Sequence, residues 1–204
     1  EGLDKFDPKT GAFKNYRGTP EAEIQYLHSI CEDNSGCLWV ASNKLFKFDP
    51  KTEKFTIYEN IPGNPNSLAD STLQTLYFDK RSEILWIGTF SAGLDKFDPN
   101  TGTFTHYQHD PDNPNSLINN SVRAIWLDRE NTLWLGTSHG LSKFDMRHEI
   151  FTCYRQDPSD PNSLSNNFIA SIYEGRSGAL WVGARGGGVN LYNRKLNKFL
   201  CYQY

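Results

Sequence analysis

Residues 121–155 read SVRAIWLDRENTLWLGTSHGLSKFDMRHEIFTCYR, and this stretch decides the fold. It divides into four runs, SVRAIWLD, TLWLGTS, GLSKFDM and IFTCYR, each of strand length, rich in β-branched and aromatic residues, and bounded by turn chemistry. No run sustains a 3.6-residue apolar spacing, so almost no helix is expected. The stretch is also one unit of a repeat. Trp39, Trp86, Trp134 and Trp181 recur every 47 or 48 residues, a period that marks a repeat architecture.

Other aromatics keep the same period. Phe6, Phe48, Phe97, Phe144 and Tyr192 hold one register; Phe13, Phe55, Phe104, Phe151 and Phe199 hold a second; Tyr16, Tyr58, Tyr107, Tyr154 and Tyr202 hold a third. Between the third and fourth runs lies Asp-Pro-x-Thr-Gly, as in FDPKTGAF (6–13) and FDPNTGTF (97–104), where proline presets φ and glycine accepts a left-handed backbone. Polar turns join the first and second runs (EDNSGCLW, 32–39; LDRENTLW, 127–134), and glycine-bearing corners follow the second (GTFSAG, 88–93; GTSHG, 136–140; GARGGG, 183–188). Each unit is therefore a four-stranded antiparallel meander. The longer links, QHDPDNPNSLINN (108–120) and QDPSDPNSLSNN (156–167), are too rich in proline and amides for strand or helix and read as surface connections. The first link, RGTPEAE (17–23), is shorter.

Four-stranded meanders at this period predict an all-β fold, a β-propeller whose blades bury their faces by stacking on one another. The tryptophans read as packing between blades rather than as ligand contacts. The chain opens inside a third run, so the expected domain over 1–204 is one propeller fragment, an incomplete arc of about four and a half blades. Residues 1–16 supply the outer two strands of a blade, and full blades cover 24–59, 73–108, 121–155 and 168–203. With no initiator Met, no signal peptide and no apolar stretch long enough for a bilayer, the sequence reads as a piece of a longer protein with exposed sheet edges.

A net charge of −3 with acids and bases interspersed argues against a nucleic-acid or anionic-membrane partner. The four cysteines form no metal-binding spacing, and no metal or cofactor is expected. Cys31 and Cys37 flank one turn, but alignment with the other units sets Cys31 beside Leu38, which disfavours a disulfide. Cys153 and Cys201 occupy the same slot in successive units, too far apart to pair.

The stretch GTFSAGLDKFDPNTGTFTHYQHDPDNPNSLINNSVRAIWLDRENTLWLGT (88–137) resembles the two-component regulator propeller repeat, and the likeness extends over essentially the whole chain. Aromatic registers, the Asp-Pro-x-Thr-Gly hairpin and the Pro-Asn-Ser-Leu loop carry it together. Neither the Trp-Asp and Gly-His signatures of WD repeats nor the tryptophan spacing of quinoprotein propellers recurs. The resemblance implies an extracytoplasmic sensor of a bacterial membrane receptor, on the periplasmic or extracellular side. Such propellers precede an immunoglobulin-like domain, a membrane helix and an output such as a histidine kinase or diguanylate cyclase, and many are associated with sensing oligosaccharides. The first full unit departs from the pattern: ASNKLFKFD (41–49) lacks Gly-Thr, and its incoming link lacks Pro-Asn-Ser-Leu.

In a propeller the corners between second and third strands, and the loops leading into each innermost strand, gather on one face by the channel. Candidate ligand contacts on that face are Asn43, Phe90, Ser91, His139 and Arg185 from corners, with Asn120, Arg123 and Asn167 at inner-strand entrances. They vary between units where the framework does not, and their amide, guanidinium and aromatic groups suit sugar hydroxyls and carboxylates. Each also has a plainer reading. Asn120 and Asn167 can simply close turns. His139 fits a solvated loop residue better than a general base. Arg185 precedes Gly186–Gly188, but no helix follows to make a phosphate cradle. Proline interrupts the oxygen spacing that calcium would need at Asp110–Asn113, and Asn119-Asn120-Ser121 is a formal sequon that a bacterial origin leaves unused.

The expected function is ligand sensing, with a small molecule, an oligosaccharide among the options, and the remaining blades and output domains as partners. A protein-docking scaffold suits the same fold. An enzyme acting on polysaccharide is the weaker third reading: it would need two carboxyl groups facing one cavity, whereas the acids here sit at repeated turn positions such as Asp7, Asp49, Asp98 and Asp145. No catalytic residue is assigned.

Overall fold

A computed structural model describes residues 2–19 and 22–203. Among them there is no helix, and four four-stranded antiparallel sheets account for most of the chain. The first sheet comprises β5 (Ser29–Glu32), β6 (Leu38–Ala41), β7 (Leu45–Asp49) and β8 (Lys54–Tyr58); the second, β9 (Leu73–Asp79), β10 (Ile84–Thr89), β11 (Leu94–Asp98) and β12 (Thr103–Tyr107). The third contains β13 (Val122–Leu127), β14 (Leu133–Thr137), β15 (Gly140–Asp145) and β16 (Ile150–Tyr154), and the fourth β17 (Ile169–Glu174), β18 (Leu180–Ala184), β19 (Gly188–Asn193) and β20 (Lys198–Tyr202). Every sheet is a meander, strands paired in chain order. No sheet closes on itself, and the backbones of neighbouring sheets come closest along their first strands, β5 to β9 to β13 to β17. This is an all-β arc of propeller blades.

Ahead of it, β1 (Leu3–Phe6) and β2 (Phe13–Tyr16) form a hairpin. Tyr16 packs on Phe48 with ring centroids 4.6 Å apart, as Tyr58 packs on Phe97 and Tyr107 on Phe144 at 5.0 Å. The hairpin thus meets the first sheet as the outer half of one blade meets the next. The short first link is more than a loop: β3 (Gly18–Thr19) and β4 (Ala22–Glu23) pair antiparallel, and Ile24 behind them is fully buried.

The aromatic registers explain themselves in three dimensions. The first two face each other across the third and fourth strands, with Phe97 on Phe104 at 4.4 Å and Phe144 on Phe151 at 4.3 Å, both stacked. The tryptophans reach the following sheet: Trp39 meets Phe97, Trp86 meets Phe144 and Trp134 meets Tyr192, at 5.8, 6.1 and 4.8 Å. Those three are buried, while Trp181 of the fourth sheet is half-buried against Tyr202. Burying aromatics of this size is the main force holding blade to blade. The Gly-Thr glycine permits the approach, because a Cβ at Gly136 would lie 2.7 Å from Ile169 Cγ2 of the next inner strand.

The cysteines are unpaired. Cys31 lies opposite Trp39 in the β5–β6 ladder, one position from the Leu38 expected from alignment, since the Asp33–Cys37 turn holds three residues between its bonded ends. Burial pushes the Cys31 thiol up to about 12, so it stays protonated and unreactive at neutral pH.

Candidate ligand-binding face

Each of the last three inner strands begins with an irregularity. Leu73 pairs with Thr89 but Thr75 with Gly88; Val122 pairs with Thr137 but Ala124 with Gly136; Ile169 pairs with Ala184 but Ser171 with Gly183. Gln74, Arg123 and Ala170 are therefore the extra residues of β-bulges. Bulges bend a strand and re-aim the side chain they carry, and they concentrate beside functional sites. The corner after each second strand is tied to the segment ahead of its own bulge: Phe90 N–H donates to Thr72 O, Ser138 N–H to Ser121 O and Arg185 N–H to Phe168 O, at 2.9, 3.2 and 2.8 Å. Corners and inner-strand entrances thus share one face.

A continuous chain of side chains crosses that face over three blades. Gln74 Nε2 donates to Thr89 O and to Ser121 Oγ, at 3.2 and 3.1 Å. Ser138 Oγ donates to Ser121 Oγ at 3.0 Å and accepts from Arg123 Nε at 2.9 Å. The Arg123 guanidinium lies 4.5 Å from the Phe168 ring centroid, and that of Arg185 lies 5.4 Å from the same ring. Both contacts fall within cation–π range. Arg123, Ser121, Ser138 and Phe168 are half-buried, and Arg185 is exposed.

The predicted residues divide accordingly. Arg123 and Arg185 meet around Phe168. His139 follows Ser138, exposed, with its backbone N–H on Thr137 Oγ1 and no side-chain hydrogen bond among the described residues. Phe90 is 53% exposed, and Ser91 donates from N and Oγ to Asp70 Oδ2, both at 2.8 Å. Asn43 accepts from its neighbour Ser42 at 3.0 Å, in the four-stranded sheet whose inner strand pairs without a bulge. Asn120 and Asn167 hold the links: their Oδ1 atoms accept from His109 N and Gln156 N, each at 2.7 Å. Gln74, Ser121, Ser138 and Phe168 escaped the sequence reading. Phe168 carried a signal, since it occupies the place of Thr72 and Ser121, whereas bulge and network reveal themselves only through pairing.

The family described as two component regulator propeller matches residues 23–44 and 163–186. No curated protein matches the chain. Among solved structures, the extracellular domain assigned to a hybrid two-component system of Bacteroides thetaiotaomicron is 27% identical, with a TM-score of 0.79 over 89% of this chain and 25% of that one. A second extracellular domain from the same organism is 24% identical, TM-score 0.54, covering 98% and 33%. PorZ, a surface component of the type-IX secretion system of Porphyromonas gingivalis, shares the fold at 17% identity and TM-score 0.73, covering 100% and 31%. The chain spans between a quarter and a third of the length of these structures. The extracytoplasmic placement implied by the repeat agrees with that of the two extracellular domains. With sheets, registers and matched segments in agreement, the repeats of this chain are similar to those of the two-component regulator propeller family, whose model matches them in the first and fourth sheets and the segments leading into them.

Proposed function

We propose that this chain is the ligand-sensing part of an extracytoplasmic propeller in a bacterial signalling receptor, and that it recognises a glycan-derived small molecule on the bulged face. The network from Gln74 through Ser121, Ser138, Arg123 and Phe168 to Arg185 carries the reading. It joins three blades, so a ligand bound there would couple their relative positions, which is what a sensor must do before passing a signal to a further domain. The similarity to extracellular domains of two-component systems supports this context. In this reading the chain has no catalytic duty; a kinase or cyclase activity would reside in an output domain.

Calorimetric titration with a panel of glycan fragments tests the proposal. Saturable binding that is lost in Arg185→Ala or Arg123→Ala is the expected result. Absence of binding to every panel member would turn the reading to a protein-docking scaffold.

A further inference from the structure

We infer that the ligand of this face carries a carboxylate, so that among glycan fragments a uronide is recognised and its neutral counterpart is not. The inference rests on the sensing reading above. Arg123 and Arg185 lie over one ring, within about 10 Å of each other, roughly a Debye length in physiological salt. Neither forms an ion pair with a described residue, whereas Arg129, in the turn after β13, pairs with Glu174, and Arg194, in the turn after β19, pairs with Asp128 and Glu174. Two uncompensated guanidiniums held together repel, and an anion between them relieves that repulsion.

The capping positions beside the two arginines carry amides, not acids. The residue two before Thr72, Ser121 and Phe168 is Asp70, Asn119 and Asn166 respectively, and each oxygen caps the backbone N–H two residues on, at 2.9–3.0 Å. The one acid of the three sits in the second sheet, its other oxygen taken by Ser91, and amides replace it in the two sheets that carry the arginines. Ser138 holds Arg123 through Nε and leaves the terminal nitrogens without a protein acceptor among the described residues. That planar edge matches the two oxygens of a carboxylate.

The test uses substitutions already present at equivalent places in the same chain. Arg123→Gln copies the bulge residue Gln74, and Arg185→Ser copies Ser138, so both variants should fold. Backbone amide resonances of the chain are followed by NMR during titration with trigalacturonate and with neutral galactotriose. Trigalacturonate is expected to shift the amides of Phe168, Arg185 and their neighbours, with affinity falling about tenfold in each variant, and galactotriose is expected to leave them unmoved. Equal binding of the two sugars, or uronide binding indifferent to both substitutions, would overturn the carboxylate assignment while leaving the sensing face standing. If neither sugar moves these resonances but other glycan fragments do, the assignment again falls alone; if no fragment does, the sensing reading falls with it.

Discussion

At the scale of single residues, the outer hairpins show strain spent on holding blades together. The last position of each outer turn is left-handed, with φ of 70° at Gly11 and 72° at Gly102, but non-glycine residues take the same conformation at Glu53, Glu149 and Asn197, with φ of 55°, 56° and 53°. A side chain there costs on the order of 1 kcal/mol. What offsets it is an acceptor for the tyrosine of the preceding blade: Tyr16 donates to Glu53 at 3.0 Å, Tyr107 to Glu149 at 2.8 Å and Tyr154 to Asn197 at 2.6 Å. Burial, and then the bond to Glu149, pushes the Tyr107 hydroxyl well above the usual tyrosine range, so it remains a donor at any physiological pH. Glu149→Gly removes strain and latch together and should change stability little. In a Tyr107→Phe background, where the latch is already gone, the same substitution should stabilise by about 1 kcal/mol. Urea melts giving the same shift in both backgrounds would refute the coupling.

At the scale of elements, the links are anchored by pairs of side chains facing each other across the third and fourth strands: Asp95 with His106, Ser142 with Cys153, Asn190 with Cys201. The third-strand member accepts a backbone N–H of the link, from Ala69, Ile118 and Ser165, and the fourth-strand member reaches a link carbonyl, at Pro65, Ser116 and Ser163. The buried leucines of the Asn-Ser-Leu segments, Leu68, Leu117 and Leu164, sit beneath. His106 faces two acceptors, Asp95 Oδ1 at 2.7 Å and Pro65 O at 2.8 Å, and only the doubly protonated ring satisfies both. The bond to Asp95 raises the His106 pKa above its ordinary value of 6.5, against the opposing effect of burial. A raised folded-state pKa means that this contribution is complete below about pH 6.5 and is lost as pH climbs through the raised value. Wild type should therefore lose stability relative to His106→Gln as pH rises above about 6.5, measured by urea denaturation; parallel curves would contradict the pairing. These anchors also show where sequence reading stops. Meander, hairpins and packing tryptophans follow from periodicity and turn chemistry, and were legible. The bulges at Gln74, Arg123 and Ala170 were not, because one unpaired residue leaves the apolar pattern intact. Failure to repeat is ambiguous too: Asp95, Ser142 and Asn190 vary between blades exactly as far as Gln74 and Arg123 do, yet they serve the scaffold.

At the scale of the whole molecule, the proposed function assigns cohesion and recognition to different places. Trp39, Trp86 and Trp134 carry cohesion between sheets, each buried against the next blade. The bulged face carries residues whose contacts are polar or cationic and whose burial is partial, a poor investment for stability and a suitable one for recognition. Of the eight positions singled out by sequence, Arg123 and Arg185 converge on Phe168, while Asn120 and Asn167 belong to the links because their amide oxygens are spent on loop backbone. The division is tested most directly without any ligand, by comparing the unfolding free energy of the Arg123→Gln, Arg185→Ser double variant with that of Trp134→Ala. The double variant should stay within about 2 kcal/mol of wild type, the worth of two exposed cation–π contacts, and Trp134→Ala should lose about 3–5 kcal/mol. A loss of several kilocalories in the double variant would make the arginines part of the scaffold and contradict their assignment to recognition.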